Sequence, residues 1–485
     1  MEHKKTITRN YIYNLTYQIL VLILPLITTP YISRVLGAEN IGIYSYTISI
    51  TTYFILFGSL GIALYGQREI AYWQKNKAKY SIVFWEIFIL RIITMMVSII
   101  IFYFTFVRVG EYKIYYRILI FELMGNCIDI SWFFQGLEEF KKTVTRNIIV
   151  KMISVICIFS FVKSNGDLYL YFWIYVLSTV IGNGTLWLYL PKFLEKVKFG
   201  ELRIFKHLKP TIALFIPQIA IQVYTLLDRT MVGTIITDKS EVGYYDQGQK
   251  IVKMLLAIIT SMGTVMLPRI ANTFAEGNKE KVKEYMNKSF NLVFLLSFPM
   301  IFGIIAVSNS FVPVFFGKGY DKVSTLISVI SPIILLIGLS NVTGTQYLLP
   351  TKRQKEYTIS VIFGAIINFI MNICLIWKYG AIGASIGTVI AELVVALIQI
   401  YFVRNDFDFK EILKNSRNYL ISSIIMFIVC LILGKLINNN FISTIIQVTL
   451  GGIIYISILL ILKDQFVLEI IEKLKTKLRR EKNEI

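Results

Sequence analysis

Long apolar stretches recur along the whole chain and are separated by short polar segments. A helix needs about 20 mostly apolar residues to cross the hydrocarbon core of a bilayer. The pattern predicts 14 such helices, at residues 10–33, 41–66, 80–107, 112–134, 146–163, 167–190, 209–236, 243–268, 289–315, 323–349, 357–377, 381–403, 418–437 and 441–462. The longest segments between them, 191–208 and 269–288, are too short to fold as domains.

The composition supports an all-helical membrane protein. Of the 485 residues, 55% are hydrophobic and only 16% are charged, and the mean hydropathy is +0.64. Soluble domains carry about 25% charged residues because their surface must face water. A soluble enzyme, a secreted disulfide scaffold and a disordered chain are therefore excluded.

The sequence contains no pattern of a catalytic or metal-binding site. The four cysteines are isolated from one another, and the two histidines are far apart. The spacing of zinc ligands is absent, and so is the glycine-rich loop of P-loop ATPases. We therefore expect no catalytic residue, no metal and no tightly bound cofactor.

The basic residues are distributed unevenly between the two sides of the membrane. If the N-terminus is cytoplasmic, the inner loops and both tails hold 35 Lys and Arg residues and the outer loops hold nine. Cytoplasmic loops of membrane proteins carry such an excess. The distribution predicts a multi-pass protein of the cell membrane with both termini in the cytoplasm. It also explains the net charge of +20 without a nucleic-acid partner.

An internal repeat indicates two lobes. The segment "LPLITTPYISRVLGAENIGIYSY" in the first two spans resembles "IPQIAIQVYTLLDRTMVG" and "SEVGYYDQGQK" in spans seven and eight. Gly42 is followed 29 residues later by Ala71, and Gly243 is followed 28 residues later by Ala271. Two parallel copies of a six-helix unit would be related by a pseudo-two-fold axis along the membrane normal. Chance similarity between apolar helices is the alternative.

The repeat divides the chain into five parts. We expect an N-lobe at 1–190, a cytoplasmic amphipathic linker at 191–208, a C-lobe at 209–403, two additional spans at 404–462 and a basic cytoplasmic tail at 463–485. The tail has apolar residues at helical spacing and basic residues between them, which is typical of a helix on the membrane surface.

Six basic residues lie within predicted spans. A charged side chain at mid-membrane costs roughly 2.5–3.5 kcal/mol on insertion scales, so it normally faces a partner or a cavity. Arg117 and Lys151 are near the ends of predicted spans, where their side chains can reach the interface. The candidates for a cationic, anion-binding cavity are Arg91, Arg229, Lys250 and Lys253, with Arg34 at the end of the first span.

Structural ion pairs are the alternative interpretation of these bases. Six acidic residues also lie within spans, and Lys250 stands one helical turn after Asp246. Isolated acids can instead carry a coupling ion, and the candidates are Glu122, Asp129 and Glu392. A protonated carboxyl group packed between helices is the competing interpretation of these acids.

Several segments together resemble one known family. They are "PLITTPYISRVLGAENIGIY" at residues 25–44, "WFFQGLEEFKK" at 132–142, "LLDRTMVG" at 226–233 and "VGYYDQGQK" at 242–250. With the number of spans, they resemble the Wzx-type flippases for O-antigen and capsule repeat units. These form the polysaccharide transporter branch of the MOP flippase superfamily, which also contains multidrug MATE exporters and lipid II flippases. The resemblance covers residues 7–462.

This resemblance implies a fold and a function. The fold would be two lobes arranged as a V around a central cavity. The function would be to flip an undecaprenyl-diphosphate-linked oligosaccharide to the outer leaflet by alternating access. The transport would be coupled to an H⁺ or Na⁺ gradient or to the membrane potential. Membrane lipids and the glycosyltransferases and polymerase of the same pathway would be its partners.

The resemblance also bears on the cationic residues. In the lipid II branch, bases on spans one, two, three and eight face the diphosphate. This sequence offers Arg91 on span three and Lys250 and Lys253 on span eight, but the interior of span two has no base. That difference argues against lipid II as the substrate.

Two other functions remain open. A MATE-like multidrug exporter would have the same fold and would favour acids over bases in its cavity. A membrane polysaccharide polymerase or ligase would be an enzyme with a large outer loop. The outer loops predicted here are shorter than about ten residues.

Overall fold

The structure is a computed structural model and is helical throughout the described part of the chain. A helix satisfies its own backbone hydrogen bonds, as the interior of a membrane requires, and the apolar side chains can face the lipid. The described residues are 2–483, with side chains described for residues 20–21, 23–215, 219, 222, 225–473 and 475–476.

Seventeen α-helices are found between residues 2 and 483. Two short π-helical segments, Tyr103–Val107 and Asn341–Leu348, directly continue α3 and α12. The α-helices are α1 (Glu2–Ser59), α2 (Ile62–Trp73), α3 (Lys77–Phe102), α4 (Lys113–Cys127), α5 (Ser131–Gly136), α6 (Phe140–Phe161), α7 (Leu168–Trp187), α8 (Leu208–Ile235), α9 (Ser240–Ala275), α10 (Lys279–Phe315), α11 (Asp321–Ile330), α12 (Ile333–Ser340), α13 (Gln354–Tyr379), α14 (Ala381–Val403), α15 (Phe409–Leu436), α16 (Asn440–Ile461) and α17 (Gln465–Asn483).

The predicted spans all lie on these helices. Among the described residues, 12 stretches are long and apolar enough to cross a membrane. One of them, Ile23–Trp73, contains two predicted spans, and α8 occupies the predicted span 209–236, although its side chains are described only in part. The prediction of an all-helical polytopic membrane protein is confirmed.

The break between the first two spans lies at a glycine inside α1. Gly37 has φ 76° and ψ 169°, a conformation that no helix contains and that only glycine adopts without strain. Pro25 and Pro30 precede this break within the same helix. Pro217, predicted to kink the equivalent helix of the second repeat, lies outside the residues whose side chains are described.

The repeat is visible in a reciprocal contact between α1 and α9. A Cβ atom on Gly42 would lie 1.7 Å from the carbonyl oxygen of Lys239. A Cβ atom on Gly243 would lie 2.1 Å from the carbonyl oxygen of Ala38. Ala38 is four residues before Gly42, and Lys239 is four residues before Gly243. Each glycine therefore faces the carbonyl oxygen that lies four residues before the other glycine. The contact requires glycine at both positions, because a Cβ atom would overlap the facing carbonyl group.

The chain divides into two compact units, which we call unit 1, up to Gly243, and unit 2, from Tyr244 onwards. The core of unit 1 contains a cluster of fully buried aromatic side chains from α3 and α5, including Phe84, Trp132 and Phe133. In unit 2, α15 and α16 pack against α10. The two spans predicted as an addition are therefore part of the packed second unit.

The segment 191–208 is not a regular amphipathic helix. It forms three short 3₁₀ turns, Leu190–Lys192, Phe199–Glu201 and Ile204–His207, and follows α3. The carboxylate of Glu86 on α3 is 1% exposed and accepts hydrogen bonds from the backbone N–H of Arg203 at 2.7 Å and from Lys206 Nζ at 2.6 Å. A buried carboxylate needs such donors, and the linker supplies them.

His207 completes this docking contact. Its Nε2 lies 2.9 Å from Glu86 Oε2, and its Nδ1 lies 2.7 Å from the hydroxyl of Tyr65. Burial lowers the pKa of His207 because it disfavours the charged imidazolium. The neutral ring then donates from Nε2 to the carboxylate and accepts the Tyr65 hydroxyl at Nδ1. Unit 1 thus holds the end of the linker directly before α8.

Candidate functional site

Lys151 lies at the centre of a membrane-spanning helix. The sequence pattern predicted a span starting at residue 146, close enough for Lys151 to reach the interface. In the structure, α6 runs from Phe140 to Phe161 and places Lys151 eleven residues from its start and ten from its end. With a rise of about 1.5 Å per residue, both ends are roughly 15 Å away. Lys151 therefore lies nearer the middle of its helix than the predicted span placed it, and whether its ammonium group reaches the interface stays a prediction.

A cavity of about 440 Å³ adjoins this lysine inside unit 1, between α1, α6 and α7. Tyr171, Tyr175 and Thr179 stand on one face of α7 because they are spaced four residues apart. The polar residues that line the cavity are Thr28, Lys151, Ser154, Tyr171, Tyr175, Ser178 and Thr179. Hydroxyl groups on three helices therefore surround a single lysine at membrane depth.

The ammonium group of Lys151 has neither a hydrogen bond nor an ion pair with any described residue. An unpaired charge in a low-dielectric region is costly, so proteins normally supply a counter-charge. The cavity beside it has room for an anionic group together with several hydroxyl partners. A phosphate or an acidic sugar fits this combination of one cation and many hydroxyls.

Glu122 lies directly behind the wall of this cavity. Its side chain on α4 is 4% exposed, and Asn126 Nδ2 donates to its Oε1 at 3.1 Å. The side chains of Thr179 and Tyr175 also lie beside the carboxyl group. Because these two residues line the cavity as well, Glu122 and the cavity share part of their surroundings. Of the three acids predicted to bind a coupling ion, Glu122 is the one that adjoins the cavity.

Arg91 is paired within the protein, which is one of the two interpretations that the sequence left open. It is 3% exposed, and its Nε and Nη2 donate to the carbonyl oxygen of Asn126 at 3.0 and 2.6 Å. Asp129 Oδ2 lies 3.8 Å from Nη2, and Asp129 Oδ1 accepts from the backbone N–H of Ser131, where α5 begins. Arg91 therefore ties the end of α4 to the start of α5. This is the structural pairing that the balanced interior charges had left open.

The remaining candidates lie elsewhere in the two units. Lys250 Nζ forms an ion pair with Asp246 at 2.7 Å, as its spacing predicted, and Lys253 is exposed on the same helix. Arg34 is exposed on α1, Arg229 is half-buried on α8, and Glu392 on α14 is buried. The role of these residues, like that of Arg91 and Asp129, in binding an anion or an ion stays a prediction.

The sequence contained a signal for the position of Lys151. Glu138 and Glu139 directly precede Phe140, and acidic residues are enriched where helices begin. Starting the helix at these acids rather than at the first apolar run would have moved Lys151 to the centre of its span.

Two protein families match the chain over more than half of its length. The family described as polysaccharide biosynthesis protein matches residues 7–274. The family described as lipid II flippase MurJ matches residues 147–451. The two matches overlap and together cover both compact units.

Individual relatives agree with this assignment. A putative O-antigen transporter of Escherichia coli (strain K12) is 26% identical over 417 residues, which cover 83% of this chain and 98% of the relative. The structure of a lipid II flippase MurJ in an inward closed conformation has a TM-score of 0.73 at 18% identity, covering 94% of this chain and 99% of that one.

A second solved structure extends the fold comparison to the exporters. An inward-facing multidrug resistance MATE family transporter of the MOP superfamily has a TM-score of 0.61 at 12% identity, covering 79% of this chain and 94% of that one. The fold is thus shared across the superfamily, and the resemblance to its Wzx-type branch is confirmed. The chain belongs to the polysaccharide biosynthesis protein family.

Proposed function

We propose that the chain is a flippase that moves lipid-linked oligosaccharide repeat units across the bacterial cell membrane for surface polysaccharide synthesis. The observation that carries this proposal is the cavity between apolar helices with Lys151 in its wall, a base that has no partner among the residues whose side chains the structure describes. The names of the relatives, an O-antigen transporter and a lipid II flippase, support the same substrate class.

The polar lining of the cavity suits the movement of a sugar head group across a membrane. A sugar head group with phosphates cannot cross hydrocarbon unaided, because its hydroxyls and charges would lose their water. The hydroxyl groups of Tyr171, Tyr175 and Thr179 replace part of that water, and Lys151 supplies a counter-charge. The lipid tail stays in the bilayer throughout. No bond is made or broken, so the proposed activity is transport rather than enzymatic catalysis.

We assign the contact with the diphosphate to Lys151. An undecaprenyl-diphosphate carrier brings at least two negative charges, and Lys151 alone neutralises one of them. The exposed base Arg34 of the same unit is the proposed further contact, and the anion-binding roles of Arg229, Lys250 and Lys253 stay predictions. Alternating access would then carry the head group from the cytoplasmic to the outer side.

We assign energy coupling to Glu122. Protonation or cation binding at this carboxylate would change the charge beside Thr179 and Tyr175, which also line the cavity. Binding of an H⁺ or Na⁺ ion and binding of the anionic head group would therefore influence each other. Asp129 and Glu392 are less suited because Asp129 caps α5 and contacts Arg91, and Glu392 lies on α14 in the other unit.

The direction of transport follows from the proposed topology. Both termini would be cytoplasmic, as the Lys and Arg distribution predicts. The substrate would then be delivered by glycosyltransferases at the inner face and consumed by a polymerase at the outer face.

The test is a reconstitution with a sided readout. Purified protein is placed in vesicles with a fluorescent undecaprenyl-diphosphate oligosaccharide, and an impermeant reductant bleaches the label in the outer leaflet. We expect the whole pool to become bleached in protein-containing vesicles and only about half in protein-free vesicles. Bleaching that stops at half in both would refute the proposal. A fluorescent glycerophospholipid without diphosphate is the matched control substrate and should remain half protected.

The same vesicles distinguish the MATE-like alternative. A multidrug exporter would accumulate or release a cationic dye and leave the lipid-linked oligosaccharide in place. Dye transport without oligosaccharide transport would therefore assign the chain to that class.

A further inference from the structure

A second basic site lies at the predicted cytoplasmic ends of α6 and α7. It is a pocket of about 540 Å³ lined by Lys141, Lys142 and Arg146, with one acid, Glu139. Three bases and one acid give it a formal charge of +2. The proposed cavity around Lys151 does not include this pocket.

Part of the pocket is held in place by the protein. Arg146 Nη1 donates to Asn183 Oδ1 at 2.6 Å, and Asn183 Nδ2 donates to the carbonyl oxygen of Gly125 at 2.8 Å. This chain of bonds fixes the guanidinium at the mouth of the α6–α7 pair. Lys142 Nζ pairs with Glu139 Oε2 at 2.6 Å, whereas Lys141 is exposed and has no partner among the described residues. The pocket therefore combines an anchored base with an available one.

An apolar groove continues from the pocket along the lipid-facing side of the same two helices. It has a volume of about 420 Å³ and shares Val150 with the pocket. Ile153, Cys157 and Phe161 of α6 line one side, and Leu177 of α7 is among the residues that line the other. A charged pocket that opens into an apolar groove has the shape of a site for an anionic lipid.

The length of the groove indicates which lipid it fits. The groove itself covers α6 from Val150 to Phe161, or roughly 16 Å, and the distance from the base Arg146 in the charged pocket to the far end of the groove at Phe161 is 15 residues, or roughly 22 Å. One leaflet of a bilayer is only about 15 Å thick, half of the hydrocarbon core. The chains of an ordinary glycerophospholipid end near the midplane, whereas a polyprenyl chain is long enough to continue beyond it. The charge of +2 also matches a diphosphate better than a phosphodiester with one negative charge.

We propose that the α6–α7 groove is a docking site for a polyprenyl-diphosphate lipid in the cytoplasmic leaflet. The diphosphate contacts Lys141, Lys142 and Arg146, and the polyprenyl chain follows the groove from Val150 to Phe161. This inference rests on the proposed function because it treats that lipid as the carrier of the substrate. Ser154 and Ser178 line both the groove and the Lys151 cavity, so a lipid docked here lies beside the cavity wall.

The experiment measures binding without transport. The full chain in phosphatidylcholine nanodiscs is titrated with undecaprenyl diphosphate, with farnesyl diphosphate, which has the same head and a short tail, and with phosphatidylglycerol. We expect undecaprenyl diphosphate to bind most tightly. The double variant Lys141→Gln/Arg146→Gln should weaken this binding by about tenfold or more, since charged hydrogen bonds to the diphosphate are lost.

Two further variants test whether weaker binding results from the lost charge or from a disturbed structure. Arg146 also bonds Asn183, so the single variant Lys141→Gln removes only an exposed base and should still weaken binding about threefold. The matched control is Lys410→Gln/Lys414→Gln, which removes two exposed bases at the start of α15. That control should bind as the wild type does.

The results that overturn the inference are distinct from those that overturn the proposed function. Equal affinity for phosphatidylglycerol would identify an ordinary anionic-lipid site. Equal affinity for farnesyl diphosphate would exclude a role of the groove, and unchanged binding by the double variant would exclude the pocket. Groove-dependent binding without transport in vesicles would count against the proposed function alone. Transport without groove-dependent binding would count against the docking site alone.

Discussion

Arg91 and Lys151 are two bases far from the ends of long helices in the same compact unit, and their surroundings differ. Arg91 is eleven residues from the end of α3, and Lys151 is ten residues from the end of α6. The guanidinium of Arg91 is buried against a helix C-terminus and near a carboxylate. The ammonium of Lys151 faces a cavity and has no described partner.

The difference shows that depth alone does not identify a functional charge. Helix C-termini carry partial negative charge, so the carbonyl of Asn126 and the carboxylate of Asp129 together stabilise a buried guanidinium. A guanidinium group bound in this way stabilises the packing of its helices. A charge without a counter-charge among the described residues is retained at a cost, and we propose that a ligand in the cavity compensates it.

The largest effect is expected for the variant that breaks the Arg91 contact. Arg91→Leu should lower the free energy of unfolding by about 3–5 kcal/mol, because it leaves a buried carbonyl and a carboxylate without their partner. Thermal unfolding in detergent measures this loss. Removing the orphaned charge as well, in Arg91→Leu/Asp129→Asn, should recover part of it.

The matched control for this prediction is Arg117→Gln. Arg117 is an exposed base on α4, and its loss should change stability by less than about 0.5 kcal/mol. If Arg91→Leu were as stable as the wild type but did not transport, Arg91 would have a role in binding the anion rather than in stabilising the fold.

Lys151→Gln should have the second largest effect, and it should act on transport rather than on stability. Loss of a charge contact with a desolvated diphosphate costs about 2–5 kcal/mol, so we expect translocation of the lipid-linked oligosaccharide to fall roughly 100-fold. The thermal midpoint should remain that of the wild type or rise. The bleaching assay with reconstituted vesicles measures the rate.

The conservative variant Lys151→Arg sharpens this test. It keeps the charge and the donors, so it should restore a substantial part of the transport lost in Lys151→Gln. If Lys151→Gln transported at the wild-type rate, the cavity would not be the path of the diphosphate.

The sequence predicted much of the fold because the membrane constrains it strongly. Apolar runs of sufficient length located the helices, and the internal similarity singled out Gly42 and Gly243, whose helices are in contact in the structure. These features depend on local pattern. The linker at 191–208 shows the limit, since its amphipathic pattern did not reveal that it forms 3₁₀ turns or that it bonds to the buried carboxylate of Glu86.

The surroundings of the candidate site residues could not be predicted from the sequence for two physical reasons. The helix α6 begins six residues before the predicted span, so Lys151 lies near the middle of its helix rather than near an end. The pairing of Arg91 depends on where α4 ends, 35 residues further along the chain. Helix boundaries and tertiary partners are the information that a hydrophobic pattern contains least.

The smallest expected effect concerns Glu122, the acid that adjoins the Lys151 cavity. Glu122→Gln keeps the hydrogen-bonding shape but removes the charge that a proton or cation would bind. Without an ion gradient, the variant should transport within about twofold of the wild-type rate. An imposed pH or Na⁺ gradient should speed up transport by the wild type about several-fold and should have no effect on the variant. Glu111→Gln, an exposed acid of the same unit, is the control and should keep the full stimulation. If the gradient still stimulated transport by Glu122→Gln, Glu122 would not couple ion binding to transport. Lys151 would then be the charge at the cavity that sets its surroundings apart from those of Arg91.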